Sequence, residues 1–256
     1  MAKYIISDMD GVIYRGKQLI PGATEFVKRI NDEKINFLFL TNNSEQTPID
    51  LKRRLSALGI EGLSEENFIT SAMATAIFLQ MQSPGGTAYV VGGAGLVSEL
   101  YKVGFSISET DPEYVVVGKT SNFNFESMKK AMNLIEHGAK FIGTNPDVID
   151  PTEHGHEPAC GSILASIEMA TGKKPYIIGK PNALMMTIAK KKLGGHSEET
   201  LMIGDRMDTD IVGGLEAGMK TCLVLSGVTK AEMINHFPYR PMYTFNNVGE
   251  IDPLSL

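Results

Sequence analysis

Two aspartates, Asp8 and Asp10, stand directly after a short apolar stretch at residues 4–6. The aromatic and β-branched residues of this stretch predict a strand that is buried on both faces of a parallel sheet. Because strand side chains alternate between the two faces, carboxylates two positions apart can both reach one point beyond the end of the strand. Gly11 permits a sharp turn there, which brings backbone N–H groups close to the same point. The segment is therefore suited to bind a metal ion and a phosphate, although an ordinary polar turn is the alternative when it is taken alone.

Three further polar clusters also follow apolar runs, and they occupy residues 41–44, 179–181 and 204–210. If the four runs are parallel strands of one sheet, all four clusters meet at one crevice beside the carboxyl ends of the strands. A phosphate monoester repels a carboxylate nucleophile, so a site for phosphoryl transfer needs cationic groups as well as acids. The residue types in these clusters fit that requirement.

Both kinds of group are available in the clusters. Mg²⁺ prefers oxygen ligands and needs few carboxylates, and Asp8, Asp205 and the backbone carbonyl of Asp10 could supply them. Lys180 and the Thr41 hydroxyl are the candidate donors to phosphoryl oxygens. Each of these residues also has an ordinary structural interpretation, such as a solvated lysine at a helix start or a threonine that caps a turn. Their joint occurrence is what favours a site for phosphoryl transfer.

The elements that must position these residues are alternating strands and helices, which predict an α/β fold with a parallel sheet. Two clusters of helix and strand breakers, at residues 83–86 and 171–175, enclose a self-contained α/β series. This pattern predicts a second domain that is inserted into the first.

The insertion divides the chain into two predicted domains. Residues 1–82 and 176–256 are predicted to form the core, and residues 83–175 the inserted domain. The apolar run at residues 176–178 is predicted to resume the core sheet. An insertion of this size is suited to close over the crevice as a lid, exclude water and contact the part of a substrate beyond its phosphate.

The composition excludes several classes of protein. The 256 residues carry 24 basic and 30 acidic side chains, which give a formal net charge of −6 without a block of like charge. This charge is a poor electrostatic match to nucleic acid or an anionic membrane, and no apolar run approaches membrane-spanning length. Cys160 and Cys222 lie far apart without metal-ligand spacing, so neither a disulfide framework nor a zinc site is predicted. We expect a soluble protein of the reducing cytoplasm that binds no nucleic acid and no membrane.

Four segments resemble the motifs of a known enzyme superfamily. They are similar, in sequence and in order, to the four motifs of the haloacid dehalogenase superfamily. The segments are DMDGV at residues 8–12, LTNNS at 40–44, GKP at 179–181 and GDRMDTDI at 204–211. The insertion between the second and third motifs, with TNPD at residues 144–147, resembles the NagD-like branch of its phosphatases, which carries a type C2 cap. The resemblance implies a Rossmann-like parallel-sheet core with an inserted α/β cap, and activity as a phosphoric monoester hydrolase.

The resemblance also implies roles for the acids at matching positions. Asp8 would be the nucleophile and would form an aspartyl-phosphate. Asp10 would protonate the leaving oxygen and then deprotonate the water that hydrolyses the intermediate. Asp8, Asp10 and Asp205 would hold Mg²⁺, and Asp210 would support these metal ligands.

The transferring phosphoryl group would, by the same resemblance, be bound by Thr41, Asn42 and Lys180 together with the backbone at Gly11. These positions match the motifs without a departure, so nothing in them indicates lost activity.

Substrate selection is assigned to the inserted domain. The predicted selecting residues form a polar segment and part of a following loop: Thr144, Asn145, Pro146, Asp147 and His156, with His154 in the same loop. An exposed turn is the alternative for the polar segment, because Asn-Pro-Asp is also good turn chemistry. An exposed face of the cap could support a homo-oligomer, although no residue indicates one.

The predicted function is Mg²⁺-dependent hydrolysis of small phosphorylated metabolites, such as sugar phosphates, acid sugar phosphates or nucleoside monophosphates. A phosphomutase or phosphotransferase is the enzymatic alternative, since it would use the same aspartyl-phosphate. A non-catalytic module that binds a phosphorylated ligand is the alternative from a different class, because the fold alone does not fix function.

Overall fold

The computed structural model describes residues 3–152 and 155–256, and His154 of the predicted substrate loop lies outside these ranges. The strands of the described residues are β1 (Tyr4–Ser7), β2 (Tyr14–Arg15), β3 (Gln18–Leu19), β4 (Asn36–Thr41), β5 (Phe68–Thr70), β6 (Thr87–Val91), β7 (Ser106–Ile107), β8 (Tyr114–Val117), β9 (Lys140–Gly143), β10 (Ile149–Thr152), β11 (Gly155–Pro158), β12 (Tyr176–Ile177), β13 (Thr200–Gly204), β14 (Lys220–Val224) and β15 (Tyr243–Phe245). The α-helices are α1 (Ala23–Asp32), α2 (Pro48–Ala57), α3 (Ser71–Gln82), α4 (Ala94–Lys102), α5 (Phe125–Glu136), α6 (Cys160–Thr171), α7 (Ala183–Leu193) and α8 (Val212–Glu216). In these ranges, no helix combines the length and apolar character that crossing a membrane requires.

The first of two compact units comprises the N-terminal segment through Thr41, then Pro48–Ile69 and Lys180–Leu256. Its six-stranded sheet has the order β15-β14-β13-β1-β4-β5, and β1 pairs in parallel with both β13 and β4. Strand β13 is buried throughout, and β4 is buried after its first residue. Such continuous apolar strands are typical of parallel sheets that are covered on both faces. The predicted α/β fold with a parallel-sheet core is confirmed.

The helices of this unit pack through amphipathic spacing. Helix α1 buries Phe26, Val27 and Ile30, which lie on one face because they are three and four residues apart. Helix α2 buries Leu51 and Leu55 in the same hydrophobic core. Truncating one such buried leucine to alanine destabilises a protein by about 2–5 kcal/mol, so this core is a main source of the unit's stability.

The second unit comprises Asn42–Thr47 and Thr70–Gly179. Its five-stranded sheet has the order β12-β9-β8-β6-β7, with parallel pairing between all neighbours. Strand β8 is buried at all four positions and lies at the centre of that sheet. Strands β10 and β11 form a separate antiparallel hairpin. Apolar side chains of the sheet, α5 and α6 form a core that belongs to this unit alone.

Strand β12 corrects one prediction. The sequence predicts that residues 176–178 resume the core sheet, but this is wrong, because β12 pairs in parallel with β9 of the second sheet. The Ile178 N–H continues that ladder by donating to the Gly143 carbonyl at 3.0 Å, and Ile177 packs against the core of the second unit. The breakers after α6 therefore form a loop within this unit, and the chain passes to the first unit at Lys180.

The second unit also takes in residues that lie outside the predicted insertion of residues 83–175. Helix α3 packs against α4. Its N-cap is Thr70, whose hydroxyl accepts a hydrogen bond from the Met73 N–H at 3.1 Å. The short segment Asn42–Thr47, which follows β4, belongs to the second unit as well.

Candidate active site

The carboxyl ends of two neighbouring strands bring acids together in the first unit. Asp8 follows β1, Asp205 follows β13, and the Asp8 N–H donates to the Ile203 carbonyl at 2.8 Å. Asp210 lies on a single π-helical turn, Met207–Ile211, just after β13. The carboxylates of Asp8, Asp205 and Asp210 offer oxygen atoms within 4.8 Å of one another, and all three residues are buried. The parallel pairing of β1 and β13 thus brings together acids that are roughly 200 positions apart in the sequence.

Lys180 supplies positive charge to this cluster. Its ammonium group contacts Asp8 Oδ1 at 2.8 Å and Asp210 Oδ1 at 2.6 Å, and its side chain is buried. Asp210 is fixed from another side by the Arg206 N–H, which donates to Oδ2 at 3.1 Å. Asp210 is therefore a direct partner of the lysine, which the sequence analysis did not predict.

Burial and mutual repulsion govern the protonation of these groups. Burial raises the pKa of Asp8 and of Asp210, and the positive charge of Lys180 opposes the rise in both. Burial, reinforced by the charges of Asp210 and Asp8, raises the pKa of Asp205 well above its usual value. Burial lowers the pKa of Lys180, but the two carboxylates outweigh it, so the pKa is raised and the ammonium stays charged. Three buried acids thus lie close together, and two of them contact one buried cation.

The donor set fits a hard divalent cation. Mg²⁺ binds carboxylate oxygens, and a second positive charge would offset the repulsion that disfavours ionised Asp205. The Val228 N–H holds Asp205 by donating to Oδ2 at 2.6 Å. Gly11 also packs against this carboxylate, since a Cβ there would lie 2.6 Å from Oδ2, and its φ of +80° favours glycine. Asp8 and Asp205 are therefore the residues best placed to hold an ion, with Asp210 within reach.

Asp10 and Thr41 have different surroundings. Asp10 is exposed, and its backbone forms a bridge to Tyr14. Its carboxylate is not one of the three that cluster among the described residues. Its charge nevertheless adds, after burial, to the raised pKa of Asp8. Thr41 is buried at the last position of β4, the strand beside β1. Asp10 thus has the solvent access that Asp8 lacks.

A loop after β14 makes contacts that the sequence analysis missed. The Ser226 hydroxyl donates to the Gly11 carbonyl at 2.6 Å, and the Thr229 N–H donates to the Asp205 carbonyl at 3.1 Å. Together with the Val228 contact, these bonds fix the backbone around the acids. The signal was available, because polar residues follow the apolar run of β14 as they follow the other four runs.

Several predicted site residues form a network inside the second unit. The Asn42 side-chain amide donates to Asp147 Oδ2 at 3.0 Å, and the Asn145 amide donates to the Asn42 carbonyl at 2.8 Å. Thr144 and Asn145 are buried, whereas Pro146 and Asp147 are half-buried. The alternative that this segment is an exposed turn is therefore wrong for its first two residues.

His156 lies apart from that network, on the exposed hairpin. It is paired with Pro151 across β11 and β10. The hairpin is tethered by Lys119, whose ammonium contacts Asp150 at 2.5 Å and Glu157 at 2.6 Å. The predicted selecting residues thus fall into two groups, one buried and hydrogen-bonded and one exposed.

Comparison with protein families gives two matches. Residues 5–106 match a family described as haloacid dehalogenase-like hydrolase, and residues 177–251 match one described as HAD-hydrolase-like. These two ranges contain the four motif segments, and with them Asp8, Asp10, Asp205 and Asp210.

Relatives match this chain over nearly its whole length. A dihydroxyacetone phosphatase of Corynebacterium glutamicum is 47% identical over 96% of this chain and 89% of its own. The ribonucleotide monophosphatase NagD of Escherichia coli is 43% identical over 98% of both chains. The solved structure of that NagD superposes with a TM-score of 0.93 over 98% of this chain and 99% of its own. An acid sugar phosphatase of Staphylococcus saprophyticus is 37% identical over 97% of this chain and 96% of its own.

Proposed function

We propose a reaction for this protein, which belongs to the haloacid dehalogenase superfamily and is one of its NagD-like phosphatases. It hydrolyses small phosphate monoesters with Mg²⁺ through an aspartyl-phosphate. One observation carries the proposal. The buried Lys180 ammonium contacts Asp8 and Asp210, and these two carboxylates form a buried cluster with that of Asp205. Buried charges are unfavourable unless they are paired or bound to a metal, so such a cluster is typical of a functional site.

Asp8 is the proposed nucleophile. Its ionised carboxylate attacks phosphorus, and an acyl-phosphate bond forms as the bond to the leaving oxygen breaks. Lys180, 2.8 Å away, opposes the effect of burial and favours the ionised form that this attack requires. The same ammonium is available to neutralise charge on the phosphoryl oxygens, which is the main demand of phosphoryl transfer.

Asp10 is the proposed acid and base. In the first step it gives a proton to the leaving oxygen. In the second step it takes a proton from the water that attacks phosphorus of the aspartyl-phosphate, which releases inorganic phosphate and restores Asp8. Its exposed position supports this role, because the same carboxyl group must reach the leaving oxygen in the first step and the incoming water in the second.

The remaining groups orient the phosphoryl group. Thr41, Asn42 and the backbone at Gly11 are the proposed phosphate-binding positions beside Lys180. Bound Mg²⁺ would supply Lewis-acid stabilisation of the negative charge on the phosphoryl oxygens. Asp8 and Asp205 are its proposed side-chain ligands, and the Asp10 backbone carbonyl is the third.

The proposed substrates are sugar phosphates, acid sugar phosphates and nucleoside monophosphates. The relatives' names support this range, since they specify dihydroxyacetone, ribonucleotide monophosphates and acid sugars. We propose that the exposed hairpin of β10 and β11, which carries His156, contributes to the choice among them. Exposed residues on a tethered hairpin are suited to contact the variable part of a substrate.

The proposal is tested by measuring phosphate release from a panel of such esters, with Mg²⁺ and with EDTA. We expect release that requires Mg²⁺ and that falls to background in Asp8→Asn, because an amide is not a nucleophile towards phosphorus. Asp32→Asn is the matched control, since it makes the same chemical change at an exposed position of the same unit. The control should retain the wild-type rate.

Two outcomes would overturn the proposal. Release from Asp8→Asn at the wild-type rate would exclude Asp8 as the nucleophile. Turnover that depends on an added alcohol or sugar acceptor, with no release in its absence, would indicate a phosphotransferase instead.

A further inference from the structure

Asn42 is held at three points by other residues of the second unit. Its carbonyl accepts hydrogen bonds from the Asn145 side-chain amide at 2.8 Å and from the Ser71 hydroxyl at 2.6 Å. Its own side-chain amide donates to Asp147 Oδ2 at 3.0 Å. A carbonyl oxygen has two lone pairs, so both are used here. Asn42 is thereby fixed in both its backbone and its side chain.

Gly179 is held by the same loop. Its N–H donates to the Thr144 carbonyl at 2.8 Å. A Cβ at this position would lie 2.6 Å from that carbonyl oxygen, 2.7 Å from Asn42 Oδ1 and 3.0 Å from Asn145 Cβ. Glycine is therefore required by close packing. One loop contacts two chain segments that are far apart in the sequence.

The side chains of this loop also fix one another. Asn145 Oδ1 accepts from the Asp147 N–H at 3.1 Å, which orients the Asn145 amide so that its NH₂ group faces the Asn42 carbonyl. Asn145 is buried, and the Thr144 hydroxyl lies 3.3 Å from its amide nitrogen. Both polar atoms of the Asn145 side chain are thus occupied, which leaves it little capacity to read a variable substrate.

We infer that Asn145 and Asp147 are positioning residues. They hold Asn42, the chain neighbour of Thr41, and pack with Gly179, the chain neighbour of Lys180, and so fix the positions of Thr41 and Lys180. The inference rests on the proposed function, in which Thr41 and Lys180 bind the phosphoryl group. Adjacent Cα atoms are about 3.8 Å apart across a rigid peptide bond, so a shift of either neighbour moves the binding residue with it. A misplacement of about 1 Å can slow an enzyme by roughly a hundredfold.

The test compares Asp147→Ala, Asp147→Asn and Asn145→Ala with the wild type. The readouts are kcat and KM for a small ester, p-nitrophenyl phosphate, and for sugar and nucleotide esters, together with the inhibition constant of inorganic phosphate. We expect kcat/KM of Asp147→Ala and Asn145→Ala to fall by roughly 10- to 100-fold for every ester alike, with weaker inhibition by phosphate. Asp147→Asn should restore most of the activity, because its amide oxygen can still accept from Asn42.

Folding is checked separately by circular dichroism and urea unfolding. Glu109→Ala is the control, since it removes an exposed carboxylate from the same unit. Selective loss for the larger esters would show that the loop reads the substrate and would overturn the inference. Unchanged kinetics in both alanine variants would overturn it as well, while an active wild type would leave the proposed function standing. An inactive wild type would instead overturn the proposed function.

Discussion

Lys180 and Lys119 are each held by carboxylates at close range, yet their surroundings differ. Lys180 is 3% exposed, between Asp8 at 10% and Asp210 at 0%. Lys119 is 20% exposed, and its partners Asp150 and Glu157 are 37% and 51% exposed. In both places burial lowers the pKa of the lysine and the carboxylates outweigh it, so the pKa is raised. The direction of the pKa shift therefore does not distinguish the two lysines, whereas burial does.

The difference in burial changes how much each cluster contributes to the free energy of unfolding. Exposed ion pairs contribute about 0–1 kcal/mol, because water solvates both charges and salt screens them. Burying charges is unfavourable by several kcal/mol per ion, and removing one partner leaves the other buried without compensation. A fold gains little stability from a cluster such as that around Lys180, so its presence favours a functional role. The Lys119 cluster is explained by tethering a hairpin.

Lys180→Met should abolish activity and destabilise the fold. The substitution keeps the apolar stem but leaves Asp8 and Asp210 without their cation, so we expect no phosphate release and a free energy of unfolding lower by about 3–5 kcal/mol at pH 7.5. Urea unfolding and the phosphate assay measure the two effects. Lys191→Met is the matched control on an exposed position of α7 and should change neither. A stable, active Lys180→Met variant would show that the buried Lys180 is needed neither for catalysis nor for the fold.

Mg²⁺ should stabilise the folded protein by binding at the cluster around Lys180 and not at the cluster around Lys119. At a concentration of Mg²⁺ about 100 times its Kd, binding to the folded state adds about 2.7 kcal/mol to the free energy of unfolding. We expect Asp205→Asn to lose this gain, because it removes a proposed ligand from the buried group. Asp150→Asn, at the Lys119 cluster, should keep it. Thermal unfolding with Mg²⁺ and with EDTA makes the comparison, and equal gains in the two variants would place the ion elsewhere.

The pH dependence of stability should report on the buried acids around Lys180. Burial, opposed by Lys180, raises the pKa of Asp210 from its usual 3.8 to about 6, so between these two values the folded state binds more protons than the unfolded state. Stability without metal should therefore fall as the pH rises through this range. Mg²⁺ should reduce the fall, since it favours the ionised acids. Urea unfolding between pH 4.5 and 7.5 tests this, with Asp210→Asn as the variant in which the fall is smaller. A metal-free stability that rises over the same range, in wild type and variant alike, would contradict it.

Much of the buried cluster could be predicted from the sequence, because each of its acids follows an apolar run or lies in a motif. Asp8 and Asp205 needed only the rule that parallel strands end at one edge. The contact between Lys180 and Asp210 was missed, because local patterns do not report which side chains meet. The bond between Asn42 and Asp147 was missed for the same reason, since it joins residues 105 positions apart. Strand β12 was assigned to the wrong sheet because a two-residue strand carries no signal that names its partner.

Lys119→Met should change stability far less than Lys180→Met, and activity not at all. Asp150 and Glu157 are directly paired across β10 and β11, so without the lysine two like charges face each other. We expect the free energy of unfolding to fall by about 1 kcal/mol or less, and by less still in high salt, because all three groups reach water. Hydrolysis of p-nitrophenyl phosphate should be unchanged. Adding Glu157→Gln removes the repulsion and should recover the lost stability. A loss as large as that of Lys180→Met would mean that the tether, although exposed, is as important to the fold as the buried cluster.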